Sequence, residues 1–373
     1  MRENDEEETG VELPRVLFLY ALPYWSEFVR YADGKIPSHR LWGAAELSRL
    51  GWAVVQCPDP KGWWGRLGGF GWRFWQCLWA LRESGTAAGL VAVHEAGAVF
   101  LLAARRMGVL RSPCLVVNMA LLHPRNLCGI RSLVWRWLLG GTDAIASLVN
   151  AQNERVAGHF GVSPERLVFL PMGVDADFGG VVDPDSEERF CLAVGTNDGK
   201  DFETLLEALP LGERLVIVTD DFNAEKVRRH PCFGAGIELR KAVEAIELRE
   251  LYRRAAVIVI PLADTSHGSG HTVFLETIAL GKLVIVSASR NMEGYAEAGV
   301  NALTVPVGDA LALRDALVNA LNSPRRFLQM RKNAAVEARR RFSMEGFGRR
   351  LDGWLRGFNP ENRDALKVRE CCG

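Results

Sequence analysis

Residues 251–289 read LYRRAAVIVIPLADTSHGSGHTVFLETIALGKLVIVSAS. The order is a helical stretch, an apolar β-branched run, a glycine-rich loop, a second helix, a turn at Gly281 and a second β-branched run. Two such runs joined through a helix are typical of parallel strands connected by a crossover helix. This stretch therefore predicts an α/β fold built on a parallel sheet.

The same alternation extends outward in both directions. The C-terminal half carries predicted strands at Phe190–Val194, Leu215–Thr219, Val257–Ile260, Leu283–Ser287 and Leu303–Val305. The N-terminal half carries predicted strands at Val16–Tyr20, Ala53–Cys57, Leu90–Val93, Cys114–Val117, Ala144–Leu148 and Leu167–Leu170.

A segment rich in Pro, Gly and Asp, Pro171–Glu188, separates the two sets of strands and is typical of a linker. With 373 residues, 48% of them hydrophobic, the chain is long enough to bury two cores. We therefore predict two Rossmann-like domains that face each other across a cleft. Ligands in such sheets bind at the carboxyl ends of the strands.

The glycine-rich loop is a candidate phosphate site. A loop that leads into a helix gathers free backbone N–H groups and the positive end of the helix dipole at one point. Glu276, one and a half turns into that helix, can accept hydrogen bonds from a ribose diol. A loop that merely packs closely, with a solvated Glu276, is the alternative. The candidate donor-binding residues here are Gly268, Ser269, Gly270, His271, Thr272 and Glu276.

The segments LYRRAAVIVIP, SGHTVFLETIALGKLVIVS and YAEAGVNALTVPVGDALALRDAL, in this order, resemble the C-terminal domain of family-four retaining glycosyltransferases with the GT-B fold (glycosyl transferases group 1). The resemblance covers about Phe190 to Leu351. It implies that Glu276 is the second glutamate of the family motif and binds the nucleotide ribose. The first glutamate, which touches the donor sugar, falls on Gly268, so His267 or Ser269 would have to replace that contact.

A second family element follows the first strand of the C-terminal half, in VGTNDGKDF at residues 194–202. The family places an Arg and a Lys here to hold the diphosphate. Lys200 matches the Lys, Thr196 replaces the Arg, and Gly195 precedes both. The resemblance implies a catalytic and diphosphate-binding Lys200. An exposed lysine at the start of a helix is the alternative.

The N-terminal half matches the family on fewer residues. The loop GKIPSH ending at His39 resembles the family's glycine loop facing the donor, and assigns Gly34 and His39 to the acceptor side. His94 follows a strand end where family members carry a His near the reaction centre, with Glu95 beside it on the acceptor side. We take His94 as a second catalytic candidate. A hydrogen-bonded structural histidine is its alternative.

The resemblance gives the domains their expected roles. We expect an acidic flexible tail at 1–14, an acceptor-side domain at 15–175 and a nucleotide-sugar-binding domain at 176–340. A helix at 341–358 is expected to return to the N-terminal domain, followed by a tail at 359–373. This helix is amphipathic, with Phe347, Leu351, Trp354 and Leu355 on one stripe.

Composition excludes several classes of partner. The 45 basic and 45 acidic residues cancel in net charge, which argues against a nucleic-acid partner.

We expect neither a cofactor nor a metal site. The glycines between His267 and His271 argue against a helix that would align them as ligands, and Asp220-Asp221 is the nearest lookalike of a metal-bridged diphosphate site. The first strand ends in LYALP, which lacks the glycines of a dinucleotide-dependent oxidoreductase.

Location is predicted from the cysteines and the acidic start. Eight scattered cysteines, with only Cys371 and Cys372 adjacent, are typical of reduced thiols, and residues 1–12 lack a secretory pattern. We expect a cytoplasmic protein.

The segment Gly62–Leu81 is rich in tryptophan and arginine. Such a segment suits either packing on the sheet or peripheral contact with the inner membrane face. Its tryptophans and the nearby arginines are Trp63, Trp64, Trp72, Trp75, Trp79, Arg66, Arg73 and Arg82.

The function implied is transfer of a hexose-type sugar from a nucleotide diphosphate sugar to a hydroxyl of a saccharide or lipid-linked acceptor. The resemblance further implies retention of configuration. We also expect no need for a metal, because no pair of closely spaced aspartates follows a strand as in metal-bridged diphosphate sites. The departures at Gly268 and Thr196 leave one alternative open, a non-catalytic nucleotide-sugar-binding or partner protein on the same fold.

Overall fold

The computed structural model describes residues 13–59, 68–196 and 198–357. The acidic segment at 1–12, Trp63, Trp64, Arg66, Asn197 and the tail with Cys371 and Cys372 lie outside the described residues.

Two parallel six-stranded sheets form the framework, so the predicted two-domain α/β fold is confirmed. The N-terminal sheet has the order β2-β1-β3-β4-β5-β6 and the C-terminal sheet the order β12-β11-β10-β7-β8-β9. The strands of the first sheet are β1 Arg15–Leu19, β2 Ala53–Gln56, β3 Ala87–Ala92, β4 Cys114–Asn118, β5 Ala144–Ser147 and β6 Leu167–Phe169. Those of the second are β7 Glu188–Val194, β8 Leu215–Val218, β9 Ile237–Arg240, β10 Ala255–Ile260, β11 Val284–Ser287 and β12 Leu303–Val305.

Helices cover both faces of each sheet, as parallel strands require. In the N-terminal half they are α1 Trp25–Ala32, α2 Ala44–Arg49, α3 Gly68–Glu83, α4 Glu95–Arg106, α5 Gly129–Leu139 and α6 Ala151–Phe160. In the C-terminal half they are α7 Phe202–Ala208, α8 Asp221–Arg229, α9 Ala245–Arg254, α10 His271–Ala279, α11 Ala310–Asn322, α12 Leu328–Arg341 and α13 Met344–Gly357.

The central strands are continuous apolar runs because both of their faces are buried. Val16 to Leu19 in β1 and Cys191 to Ala193 in β7 have no solvent exposure. All eleven strands predicted from the sequence are present. The twelfth, β9, lies at the edge of its sheet and its sequence IELR is only partly buried. An edge strand with one apolar face lacks the long β-branched run that marked the others, which is why β9 was not predicted.

The end of the chain joins the two halves. Val174 in the linker pairs with Ser343, just before α13. Helix α13 then packs on α2 of the N-terminal domain, where the Trp52 indole N–H donates to Asp352 at 2.7 Å. Gly348 permits this contact, because a Cβ there would lie 2.4 Å from the Cβ of Glu46. The described chain therefore closes into two domains tied by a returning helix.

The described tryptophans of the 62–81 segment contribute to packing. Trp72 is buried, and its indole N–H donates to the Tyr20 carbonyl. Trp75 donates to the Pro58 carbonyl, and Trp79 packs against the core under the first sheet. These contacts favour the packing interpretation for this part of the segment. Within the described ranges, no helix is both long and apolar enough to cross a membrane.

Candidate functional site

A cavity of about 450 Å³ lies where the carboxyl ends of the C-terminal strands face the N-terminal domain. This is the position at which parallel α/β sheets bind ligands. The N-terminal domain lines it with Arg40, Trp42, Met119 and Leu148. Every donor-side residue predicted from the sequence lines it as well, namely Gly195, Thr196, Lys200, Gly268, Ser269, Gly270, His271, Thr272 and Glu276.

Lys200 is the buried cation of this cavity. Its Nζ is inaccessible to water and has no hydrogen-bond partner in the described part of the chain. Burial lowers the pKa of Lys200 from 10.5 to about 8. Gly195 leaves the space that the Lys200 side chain occupies, because a Cβ on Gly195 would lie 2.1 Å from the Lys200 Cε. A buried ammonium without a partner is costly, and an anion entering the cavity would supply the missing partner.

The following helix, α7, begins with its own cap and does not use Lys200. Asp201 accepts the Thr204 N–H at 3.1 Å, which satisfies the start of α7. The Lys200 backbone instead forms a bridge with Leu262, after β10. The Lys200 backbone is thus held at the carboxyl end of β10. This differs from the alternative interpretation, in which Lys200 is an exposed lysine at the start of a helix.

The glycine loop leads into α10 as the sequence indicated. Gly270 occupies the position before the helix with φ of +89°, a conformation that favours glycine. His271 is fully buried and donates from Nε2 to the Asn291 carbonyl at 2.6 Å, and burial lowers the pKa of His271 to about 4. His271 is therefore a neutral anchor for the start of α10, whose backbone N–H groups face the cavity end of the helix.

Gly268 stands where the family carries a glutamate. A Cβ there would meet the His271 ring at 3.4 Å, an ordinary contact, and the Gly268 backbone is outside the left-handed region. The space at this position therefore tolerates a side chain. Ser269 is buried beside the same loop, whereas His267 directs its ring at Asp198.

Glu276 is held by a histidine from the other domain. The His39 Nδ1 accepts the Asp175 N–H at 3.2 Å, so the ring proton lies on Nε2 and is donated to Glu276 Oε1 at 3.1 Å. Tyr252 lies beside them, and burial, followed by the nearby Glu276 carboxylate, raises the Tyr252 pKa well above 10. His39 therefore holds Oε1 of Glu276, and Tyr252 faces the same carboxylate. The structure thus brings His39, which the resemblance assigns to the acceptor side, into contact with Glu276, which the resemblance assigns to donor binding.

The other N-terminal candidates are engaged in structural contacts. His94 caps α4, where its Nδ1 accepts the Ala96 N–H at 3.0 Å. Glu95 is buried and accepts the backbone N–H groups of Met119 and Ala120, both at 3.0 Å. Gly34 lies in open space after α1. None of these three contributes to the described lining of the cavity.

At one end of the cleft, three ionisable side chains meet across the two domains. His267 Nε2 lies 2.9 Å from Asp198 Oδ1, and His123 Nε2 lies 3.4 Å from Asp198 Oδ2. Burial of Asp198 opposes its ionisation, but the charges and hydrogen bonds of the two histidines prevail and lower the Asp198 pKa. His267 and His271 do not converge, since the latter is directed at Asn291. Asp220 and Asp221 are also engaged, the first as the cap of α8 and the second with Lys241.

Sequence reasoning missed several groups that the fold brings to the cavity. Arg40 and Trp42 arrive from the N-terminal domain, and Val218, Ala242 and Val243 arrive from strand ends of the C-terminal domain. Ala242 has a positive φ of 52°, which is unusual for a residue with a side chain. No motif marks these positions. Their only signal was that Val218 lies next to the end of the predicted strand Leu215–Thr219.

Comparison with known proteins agrees with this architecture. Residues 188–323 match the family model described as Glycosyl transferases group 1. HepE of Anabaena, solved in complex with UDP-glucose, aligns over 91% of this chain and 99% of its own, with a TM-score of 0.69 at 13% identity. Sucrose-phosphate synthase of Thermosynechococcus elongatus aligns over 92% and 98%, with a TM-score of 0.71 at 16% identity. A glycosyltransferase of Rickettsia africae aligns over 94% and 99%, with a TM-score of 0.66 at 12% identity. No curated protein sequence gives a significant match to the chain.

Proposed function

We propose that the protein transfers a sugar from a nucleotide diphosphate sugar to a hydroxyl acceptor, because residues 188–323 match the family model described as Glycosyl transferases group 1. The donor occupies the cavity between the domains. The acceptor is a saccharide or a lipid-linked saccharide that approaches from the N-terminal side. The structural relative HepE was solved with UDP-glucose, which supports this class of donor.

The observation that carries the proposal is the buried Nζ of Lys200, which has no hydrogen-bond partner among the described residues. In a cavity of this size, a diphosphate would supply the anion that the ammonium lacks. Negative charge grows on the diphosphate as the bond to the sugar breaks, so a fixed cation stabilises the transition state more than the bound substrate. The start of α10 adds backbone N–H groups at the same end.

The ribose would lie at the other end of the cavity, against Glu276. His39 occupies Oε1 of that carboxylate, so Oε2 is the atom that would accept from the ribose hydroxyls. Since His39 belongs to the N-terminal domain, the orientation of Glu276 depends on the two domains being in contact. His39 is therefore a positioning residue in this proposal.

We propose retention of configuration without a nucleophilic residue of the protein. Glu276 is the one carboxylate among the described lining residues, and its place is at the ribose end. The acceptor oxygen would bond to the anomeric carbon on the face from which the diphosphate departs. The acceptor proton would pass to that leaving diphosphate. The diphosphate charge would be neutralised by Lys200 and by α10, with no metal bound to it.

The test begins with a panel of nucleotide sugars screened for thermal stabilisation of the protein, because a ligand that binds only the folded state raises its melting temperature. The stabilising donor is then used in transfer and hydrolysis assays, and the product configuration is assigned by proton NMR. A smaller stabilisation by the donor in Lys200→Met, with full stabilisation in the exposed-lysine control Lys226→Met, would support the site. Donor binding with neither transfer nor hydrolysis would instead favour the non-catalytic alternative.

We also propose peripheral contact with an anionic membrane surface, through α5. This helix exposes Ile130, Leu133, Val134 and Trp137, with Arg131 and Arg136 on the same element. Exposed apolar residues beside arginines suit a negatively charged lipid interface. Sedimentation with anionic vesicles should fall for Leu133→Glu. It should be unchanged for Leu311→Glu, an equally exposed leucine of the C-terminal domain.

A further inference from the structure

The His123–Asp198–His267 cluster has the composition of a transition-metal site. Two imidazole nitrogens and one carboxylate oxygen are a common ligand set for zinc. Their candidate ligand atoms all lie within 4.8 Å of one another. The chain has only seven histidines, and two of them converge on a single carboxylate from separate parts of the chain.

The spacing requires little adjustment to hold a metal. Ligand atoms about 2.0–2.1 Å from a tetrahedral zinc lie roughly 3.3 Å apart. The closest separations here are 2.9 Å from His267 Nε2 to Asp198 Oδ1 and 3.4 Å from His123 Nε2 to Asp198 Oδ2, so each histidine faces a different oxygen of the same carboxylate. The two imidazole rings already lie together, with centroids 5.1 Å apart. Three protein ligands leave one coordination position for water.

The cluster is accessible from solvent and is part of the contact between the domains. Asp198 has a side-chain exposure of 56%, which gives an ion a path of entry. His123 follows β4 in the N-terminal domain, whereas Asp198 and His267 belong to two loops of the C-terminal domain. Next to it, Ser266 donates to the Leu122 carbonyl at 2.5 Å, so the same pair of loops is already in direct contact.

We propose that His123, Asp198 and His267 bind a zinc-class divalent ion that links the two domains at this end of the cleft. Binding at the Nε2 atoms moves the ring proton of each neutral histidine to Nδ1. For His123 this displaces the 3.3 Å hydrogen bond from the Arg125 N–H, a weak contact in a short turn. The ion lies beside the loops that carry Lys200 and Gly268, and its role is to join these loops to the N-terminal domain.

Isothermal titration with zinc chloride tests the proposal on the full chain, stripped with EDTA and purified without a histidine tag. Wild type should bind one more zinc equivalent than His123→Ala or His267→Ala. If a weak site remains in these variants, its affinity for zinc should be at least roughly tenfold lower. Removal of a residue that only hydrogen-bonds a metal ligand already lowers metal affinity by roughly 10–100-fold. The thiols Cys128 and Cys232 are exposed, but they are common to all variants and cancel in the comparison.

The matched control is His159→Ala, which removes a histidine that contacts only Ser132 and Phe160 among the described contacts and should leave zinc binding unchanged. Crystals soaked in zinc should show an anomalous difference peak among the three ligands. Zinc should also raise the melting temperature of wild type but not of His123→Ala/His267→Ala. Equal zinc stoichiometry and affinity in wild type and this double variant would overturn the proposal. Melting temperatures that shift in the variants with no difference in zinc binding would also overturn it and leave the cluster as a hydrogen-bonded contact.

Discussion

The two walls of the cleft use their polar side chains in opposite ways. On the C-terminal wall, Lys200 is buried with no partner in the described chain. On the N-terminal side, His94 caps a helix and Glu95 accepts two backbone N–H groups, and neither residue lines the cavity. Both sides carry residues that resemble family site positions, but His94 and Glu95 already have hydrogen-bond partners within their own domain. The contrast shows that residue type and place along a strand are insufficient to identify a site, because hydrogen bonding decides which groups are free to bind.

His39 belongs to the N-terminal wall but acts on the other one. Its two ring nitrogens join the Asp175 backbone N–H to the Glu276 carboxylate. The N-terminal domain therefore contributes to donor binding by orienting a residue of its neighbour. The following variants compare the two walls, from the largest expected effect to the smallest.

Replacement of Glu276 by Ala should have the largest effect on donor use. The loss should be roughly 2–4 kcal/mol of donor binding or transition-state stabilisation, as for removal of a buried charged hydrogen-bond partner. Donor kinetics with the stabilising nucleotide sugar measure it. Glu293→Ala, an exposed glutamate of the same domain, is the matched control and should behave as wild type. Wild-type kinetics in a folded Glu276→Ala protein would place the ribose elsewhere.

Lys200→Met should lower turnover by roughly a hundredfold, the scale of one lost electrostatic stabiliser, with a smaller change in donor affinity. The reason is that charge on the leaving diphosphate grows only in the transition state. Steady-state kinetics separate turnover from affinity.

Adding Thr196→Arg to this variant should restore part of the activity, since Thr196 also lines the cavity and stands where the family has an arginine. An unchanged rate in Lys200→Met would show that the diphosphate is not bound here, even though the fold is correct.

The same lysine should govern stability in the absence of donor. Burial lowers the Lys200 pKa to about 8 from the 10.5 expected in the unfolded chain. Below pH 8 the ammonium is charged in both states and destabilises the folded one, whereas above pH 10.5 it is neutral in both. Lys200→Met should therefore melt above wild type at pH 7, and the difference should shrink between pH 8 and 10.5. A melting-temperature series over this range measures it, with Lys226→Met showing no such trend.

On the N-terminal wall, His94→Ala should cost about 1 kcal/mol of stability, the usual value of a lost helix cap. His94→Asn should recover most of it, because asparagine also caps helices well. Chemical denaturation and turnover are measured on both variants. If His94→Asn is as stable as wild type but loses turnover to the extent of Lys200→Met, then His94 takes part in catalysis and the contrast between the walls fails.

Removal of divalent ions should have the smallest effect on the reaction. Treatment with EDTA should leave turnover within about twofold of its untreated value, because Lys200 and α10 would neutralise the diphosphate without a metal. A metal-dependent diphosphate site would instead lose nearly all activity. Loss of the proposed zinc would lower the melting temperature of the protein without abolishing turnover. Activity abolished by EDTA and restored by manganese would instead direct attention to Asp220 and Asp221, despite their present contacts with α8 and Lys241.

The fold was predictable because its information is local. Each central strand is buried on both faces, so runs such as VIVI at 257–260 are apolar throughout and are separated by amphipathic helices. The edge strand β9 escaped prediction because it lacks that signal. The glycine loop and Glu276 were also predictable, since a glycine-rich turn and a carboxylate at fixed spacing lie within one strand–loop–helix unit.

The sequence by itself determined two parallel sheets, the loops at their carboxyl ends, the position of Lys200 in one of those loops and that of Glu276 in the helix after another. Only the tertiary structure decided that His39 orients Glu276, that His94 and Glu95 are used internally, and that His123 meets Asp198 and His267. His39 and Glu276 are 237 residues apart, and His123 meets Asp198 and His267 across the domain boundary. These contacts between the domains follow from how the two sheets are placed against each other, which no short-range pattern of residues encodes.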